Sequence, residues 1–371
     1  MIPYPTVNMA DRQDSPDLVF VHLSDIHFRM GEAGDLHDEG VDLRNELQLD
    51  LRRLRARFPR LDGLVISGDI AFGGQSAEYA YARGWIESVR ELLGCDRTGV
   101  MLTPGNHDVD RSLIPPGGEV DELQRAIRNG PSAHQRDRLM AGILRHETRG
   151  EALLKPVQAY NDLAKEYECE VSRTSPFWER DFDLSDGTKL RFRGMTSTML
   201  SGPNDDESTH KMLYGAAQRQ ILRLPNVRYA VIGHHPPSWT LEGDDADRAF
   251  SDRTAFQLFG HKHDQWVTVL GSGVRLIAGA VHPDPAEAGW LPRYAAIAVS
   301  VVGDEQIALR VYPRRWSDEE TTFIPDFNSA GRDFRDFTVR VEPRTAATSP
   351  EPRVAATRSR PGRRHDGHDA Q

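Results

Sequence analysis

The stretch Thr103-Pro-Gly-Asn-His-Asp108 sets three groups with metal and proton chemistry side by side. Asn106 offers a neutral amide oxygen, His107 an imidazole and Asp108 a carboxylate. The apolar run Gly99–Leu102 before them reads as a buried strand, which Pro104 and Gly105 stop sharply. Read alone, Asn-His-Asp is also a turn that caps itself. Four further stretches argue otherwise: Asp25-Ile-His27, Gly68-Asp69, Gly233-His-His235 and Gly260-His-Lys-His263, each behind its own apolar strand-like run. With Asn106 they supply two carboxylates, one amide and four or more imidazoles. Oxygen and nitrogen donors without thiolate suit manganese, iron or zinc. The set is too large for one tetrahedral ion. It fits two ions sharing a carboxylate, which two-metal sites hold about 3.5–4 Å apart.

The elements that must carry these groups can be read in order. Leu18–Leu23 is apolar at nearly every position, the pattern of a strand covered on both faces. Alternation beyond it places Asp25 and His27 on one side, and leaves His22 as a core or supporting histidine. Val41–Phe58 has helical spacing and is ended by Pro59. Leu61–Ile66 is the next strand, and Gly68 lets the chain turn so that Asp69 points off its end. Ser76 is the expected cap of a helix running to Leu93, with Gly94 behind it. Strand, helix, strand, helix, strand implies a parallel sheet with right-handed crossovers. Ligands of such sheets bind off the carboxyl ends of the strands, where Asp25, His27, Asp69 and Asn106 fall.

The alternation stops between about 111 and 176. Helical stretches at Val120–Arg128, Ala133–Arg145 and Glu151–Tyr167 form an insert, either packing on the flank or a lid over the site. Phe177–Leu184 and Lys189–Thr196 flank Ser185-Asp-Gly-Thr188 as a hairpin. A short helix over Gly215–Leu222 leads to the strand Val227–Ile232, and a helix over Arg248–Phe256 leads to Gln257–Phe259. The remainder reads as strands at Trp266–Leu270, Val274–Val281, Tyr294–Val302, Gln306–Tyr312 and Phe337–Val341.

Bulk properties narrow the class. The 371 residues allow two domains or one large α/β domain with an insert. Cys95 and Cys169 make no disulfide framework and have no zinc-type spacing, which suits a reducing compartment. No run is long enough to span a membrane, and Met1–Pro16 lacks the order of a secretory signal, so the expected location is the cytoplasm. A net charge of −10 disfavours a protein that coats nucleic acid. From Pro343 the composition turns to Pro, Ala, Ser, Thr, Gly and six Arg, which predicts a solvated, disordered tail over 343–371. A polar segment over 1–16 and a catalytic domain over 17–342 complete the expected division.

With these residues in place, the chain resembles the calcineurin-like metallophosphoesterase superfamily. Asp25-x-His27, Gly68-Asp69, Gly105-Asn-His-Asp108, Gly233-His234 and Gly260-His-x-His263 match its five blocks in order, over about residues 18 to 310. The resemblance implies an α/β fold: a four-layer αββα sandwich of two mixed β-sheets flanked by helices, with the helical insert added. It implies a dinuclear centre of divalent ions (manganese, iron or zinc) that hydrolyses phosphoesters by a metal-bridging hydroxide. On that pattern Asp25, His27 and His263 bind the first metal, Asn106, His234 and His261 the second, and Asp69 bridges. His107 resembles the proton donor, and Asp108 would orient it. His235 is turned away from His234 by alternation, or touches substrate. Lys262 faces solvent or phosphate. Gly68-Asp-Ile-Ala-Phe-Gly73 and Gly-Asn-His-Asp108 depart from the serine/threonine protein phosphatases. Asp25-Ile-His27-Phe28 and His234-His-Pro-Pro237 look like the bacterial cyclic-nucleotide-phosphodiesterase-type branch. A phosphodiester, with cyclic nucleotides as one case, is thus the expected substrate. The alternatives are a nuclease acting on DNA or RNA, and a non-catalytic scaffold that binds a partner.

Overall fold

The computed structural model describes residues 15–29, 40–205, 211–271, 273–283, 291–303 and 305–340. The tail expected from Pro343, and all of the N-terminal segment except Ser15 and Pro16, lie outside them. In chain order the first elements are β1 (Leu18–Leu23), α1 (Val41–Arg57), β2 (Gly63–Ser67), α2 (Ser76–Leu93) and β3 (Val100–Thr103). The three strands are buried throughout and run in parallel, Phe20 opposite Gly63 and Leu64 opposite Val100. Four helices follow: α3 (Glu119–Arg128), α4 (Ala133–Arg145), α5 (Glu147–Leu154) and α6 (Gln158–Ala164). The chain continues with β4 (Phe177–Asp183), β5 (Lys189–Met195), α7 (Ala216–Arg219), β6 (Val227–Ile232), α8 (Asp244–Ser251) and β7 (Phe256–Phe259). It closes with β8 (Trp266–Leu270), β9 (Gly273–Ile277), β10 (Arg293–Gly303), β11 (Gln306–Ser317), β12 (Thr322–Pro325) and β13 (Arg335–Arg340).

The strands form two mixed sheets. The first has the order β12-β11-β10-β1-β2-β3, with β13 also on β11; the second is β4-β5-β6-β7-β9-β8. Their inner faces meet through aromatic side chains. Phe20 of β1 lies edge-on to Phe182 and Phe192 of the second sheet, with centroids 5.1 and 4.9 Å apart. Burying each such ring contributes about 1.5–3 kcal/mol. Outside, Leu47, Leu51 and Leu54 of α1 and Ile86 and Val89 of α2 cover the first sheet. Ala246 and Phe250 of α8 cover Tyr229, Val231 and Phe259 of the second. The result is the four-layer αββα sandwich expected.

The helices after β3 keep their own apolar cluster. Leu123, Ile127, Met140, Ile143 and Leu153 pack on one another and on Met199, Leu200 and Leu213. Only α6 joins the main core, through Tyr160, Leu163 and Ala164, and Tyr160 donates its hydroxyl to the Leu102 carbonyl at 3.0 Å.

Several elements differ from the sequence reading. The helix expected over Glu151–Tyr167 is two helices, broken at Lys155–Val157, because Pro156 lacks the N–H that an unbroken helix needs. Ser76 is the first residue of α2, not its cap; Gln75 holds that place and donates its N–H to Glu78 at 2.9 Å. The helix before β7 is displaced, to Asp244–Ser251, where its three leading aspartates face the positive end of the helix dipole. β11 runs on to Ser317, past the expected end at Tyr312, and β12 has no counterpart in the sequence reading. Its single buried position, Phe323, carries no alternating pattern.

Candidate metal centre

The five chemistry-bearing blocks converge at the carboxyl ends of β1, β2, β3, β6 and β7. Each strand stops before its ligand: β1 ends at Leu23 and β2 at Ser67. Backbone turns then aim the side chains, and the turns are unusual. Asp25, His27, Asp69, His261 and His263 all have φ between 53° and 69°. Non-glycine residues adopt that left-handed region sparingly, and such strain persists where the surroundings over-determine it. The strand-parity argument for Asp25 and His27 therefore does not operate; the turns bring both inward. Gly68 (φ 98°) is required sterically as well, since a Cβ there would lie 2.5 Å from His234 Nδ1. A Cβ on Gly105 would lie 2.1 Å from Asp69 Oδ1.

Backbone hydrogen bonds lock the turns together. Ile26 and His27 both donate to the Asp69 carbonyl, at 2.9 and 3.0 Å, and Asp25 donates to the Gly68 carbonyl at 3.1 Å. Gly260 donates to the His234 carbonyl at 3.0 Å, and Val281 to the Ser24 carbonyl at 2.9 Å, which ties the second sheet to the first.

The side chains then gather around two buried carboxylates. Asp69 Oδ2 lies 3.1 Å from His234 Nε2 and 3.4 Å from His27 Nε2. Asp25 Oδ1 lies 3.1 Å from His263 Nε2 and 3.9 Å from His234 Nε2. The outer nitrogens are spoken for: His27 Nδ1–H donates to the His282 carbonyl at 3.4 Å and His234 Nδ1–H to the Ser67 carbonyl at 2.8 Å. Those acceptors fix the tautomer and turn the Nε2 lone pairs inward, as a metal requires. The other oxygen of Asp69, Oδ1, accepts the His107 N–H at 2.8 Å, which fixes the carboxylate plane.

The electrostatics ask for positive charge at the centre. Burial lowers the pKa of His234, but the Asp69 and Asp25 carboxylates outweigh it and hold it up at about 9. Burial alone would raise Asp69; His234 and His107 pull it well below the usual carboxylate range. Desolvation of His261, half-buried in the cluster, and then His234 beside it lower its pKa to about 3. Asn106 Oδ1 and His261 Nδ1 are buried and make no hydrogen bond, and His234 Nε2 meets only the Asp69 and Asp25 carboxylates. A buried polar atom left unpaired costs about 1–3 kcal/mol. Two enclosed carboxylates ringed by imidazoles, with inward donor atoms lacking partners, fit divalent cations.

His107 stands at the rim, half-buried, its Nδ1–H donating to the Phe72 carbonyl at 2.8 Å. Burial lowers its pKa, against the pull of Asp69. Asp108 does not orient it. Asp108 instead accepts from Gly105 N–H (2.8 Å), Ile70 N–H (3.2 Å), Ala71 N–H (2.9 Å) and the Tyr79 hydroxyl (2.6 Å). Its lone pairs are thereby used to clamp the Asp69 turn to the His107 turn. Burial, with Asp69 nearby, raises its pKa to about 6.

The remaining candidates are placed as follows. His22 is buried within β1, Nε2 2.9 Å from Ser67 Oγ, a supporting histidine as expected. His235 is not turned away from His234: the ring centroids are 4.8 Å apart, and it lies 4.3 Å from His261. Lys262 reaches over the Trp239 ring, Nζ 5.4 Å from its centroid. Trp239 itself packs edge-on to His261 at 4.1 Å. On the opposite rim, half-exposed Phe72 lies between the Arg29 guanidinium, 3.8 Å from its centroid, and the His107 ring, 5.1 Å away. Phe72, Tyr79, Ser197 and Trp239 were not found from the sequence. Their roles rest on contacts with no local motif. Both thiols are buried and free, their pKa raised to about 11 by burial. Among the described residues no helix is long and apolar enough to cross a membrane.

A two-sheet αββα sandwich with an Asp, His and Asn cluster at its strand ends defines the metallophosphoesterase class. Residues 18–265 match the calcineurin-like phosphoesterase family, and the chain belongs to it. It is 37% identical over 106 residues to a cAMP/cGMP dual specificity phosphodiesterase of Mycobacterium tuberculosis, covering 28% of this chain and 31% of that protein. It is 22% identical over 280 residues to the uncharacterized metallophosphoesterase-like protein YydB of Bacillus subtilis, covering 71% and 54%. It is 33% identical over 96 residues to the glycerophosphodiester phosphodiesterase GpdQ of Enterobacter lignolyticus, covering 24% and 30%. The matched regions thus span about a third to a half of these relatives.

Proposed function

We propose that this chain hydrolyses phosphodiester bonds at a two-cation centre. The observation that carries the reading is the pair of buried carboxylates, Asp25 and Asp69, met by inward imidazoles and by unpartnered donor atoms. Asp25, His27 and His263 would hold the first cation, Asn106, His234 and His261 the second, and Asp69 both. When bound, divalent cations lower the pKa of water and neutralise phosphoryl oxygens as charge builds in line. His107, half-buried at the edge of the cluster, would protonate the leaving oxygen. Its Nδ1–H is committed to the Phe72 carbonyl, so a proton on Nε2 makes the ring cationic and ready to donate. That proton is worth about 10²–10⁴-fold when the leaving group is a poor one. Arg29 and Lys262, beside the aromatic rings at the two sides of the cleft, favour an anionic substrate despite the net negative chain.

Diesters are favoured over monoesters because two of the matched relatives are named phosphodiesterases. Cyclic nucleotides are the first substrates to try. The test is a panel with manganese: bis(p-nitrophenyl) phosphate, p-nitrophenyl phosphate, cyclic nucleotides, glycerophosphodiesters, and single-stranded DNA and RNA. Faster cleavage of the diester than of the matching monoester is expected. A strong monoester preference overturns the diester reading, and cleavage confined to DNA or RNA replaces it with a nuclease.

A further inference from the structure

His235 is the one histidine of the cluster to which the proposed scheme gives no task. It is fully enclosed, so it offers nothing to a substrate in the open cleft. Its Nδ1 lies 2.7 Å from Ser197 Oγ, its carbonyl accepts from the Tyr214 hydroxyl, and its ring packs against Trp239 and His261. The ring is therefore fixed, yet Nε2 is buried and without a hydrogen bond. One ring nitrogen from each of His234, His235 and His261 lies within 4.8 Å of the others, a span that one ion can bridge. His27 and His234 each commit Nδ1–H to a protein oxygen and turn Nε2 inward. His235 repeats that arrangement, with the Ser197 hydroxyl in place of a carbonyl. A ligating histidine is normally held in this way by a partner on its other nitrogen.

We infer that His235 is a further imidazole donor to the second cation, through Nε2, with Ser197 as its positioning residue. The inference rests on the two-cation reading. It makes the two sites unlike. The first would be held by Asp25, His27, His263 and Asp69, and the second by Asn106, His234, His235, His261 and Asp69. The nitrogen-rich second site should bind zinc or cobalt more tightly and fill first.

The test is calorimetric titration of the metal-free full-length chain with Zn²⁺, together with the visible spectrum of the Co²⁺ form. The wild-type chain should bind two ions, one more tightly than the other. His235→Ala should weaken the tighter event by more than about 100-fold and change the Co²⁺ spectrum, because a ligand is lost. Ser197→Ala, which leaves every donor in place, should weaken it by about 10–100-fold, the usual cost of losing a partner behind a ligand. If both variants bind two ions with wild-type affinity, the inference is overturned. An unchanged Co²⁺ spectrum in His235→Ala also overturns it, since the ring then only packs. Fewer than two ions in the wild-type chain sinks the two-cation reading instead, and the response of the remaining ion to His235→Ala still decides the inference. Circular dichroism of the metal-free variants reports folding; should His235→Ala not fold, His235→Gln and Ser197→Ala carry the same comparison.

Discussion

Two clusters of buried carboxylate chemistry lie in this molecule, and they are built on opposite principles. Asp50 of α1 is fully buried and faces β10 and β11. It accepts from Arg314 through both Nε, at 2.7 Å, and Nη2, and from the Tyr294 hydroxyl, with Arg53 at 3.6 Å. Arg314 turns its remaining capacity to the Phe323 carbonyl at 3.3 Å. The cluster closes on itself. Asp25 and Asp69 are equally buried, but around them Asn106 Oδ1, His235 Nε2 and His261 Nδ1 are enclosed without a hydrogen bond. Burial of charge is therefore a poor mark of function on its own. What separates the two is whether the protein supplies every partner or leaves places for a ligand.

That contrast can be broken, and the largest effect is expected at Asp69. Replacing Asp69 by Ala removes the shared carboxylate and exposes two cations to mutual repulsion. Elemental analysis after manganese reconstitution should fall from two ions per chain to one or none, and turnover of all phosphodiesters should drop to background. Two retained ions would show that Asp69 is no more a bridge than Asp50 is.

His107→Ala sharpens the contrast within the open cluster. Both ions should remain. Turnover of a substrate with an alkoxide leaving group should fall by about 10²–10⁴-fold, and that of bis(p-nitrophenyl) phosphate much less, because p-nitrophenolate leaves without a proton. Equal losses on the two substrates, or loss of metal, would remove His107 from the role of proton donor.

Arg314→Leu tests the closed cluster, where the functional effect should be the smallest. Asp50 then keeps only the Tyr294 hydroxyl and the more distant Arg53, and losing the buried partner costs up to about 3–5 kcal/mol of stability. The melting temperature should fall by several degrees, while the ion count stays at two. Asp50→Leu added to Arg314→Leu should recover much of the loss, since neither charge then remains. A change in metal affinity without a change in melting temperature would show that the Asp50 cluster serves the metal centre and not stability.

The sequence by itself determined much of this protein. Apolar runs ending abruptly, at Ser24 behind β1 and at glycines behind β2, β3, β6 and β7, placed those five strands and with them the seven ligand candidates, because a strand and the turn behind it are local events. Locality made the first parallel sheet readable, whereas the αββα layering came from the resemblance of the five blocks to the superfamily. Tertiary structure decided what the neighbouring residues do. Alternation suggested that His235 turns away from His234, but both lie beyond the end of β6 and the turn sets their direction. The resemblance assigned Asp108 to orienting His107, yet the Phe72 carbonyl does so, and a backbone acceptor has no residue type to recognise. Asp108 instead holds Ile70, Ala71 and Tyr79, and Ser197 holds His235 from 38 residues away. Such pairings arise only when chain closure brings distant strand ends together. Their energies depend on burial and on the last unfilled lone pair, quantities that exist only in the folded protein.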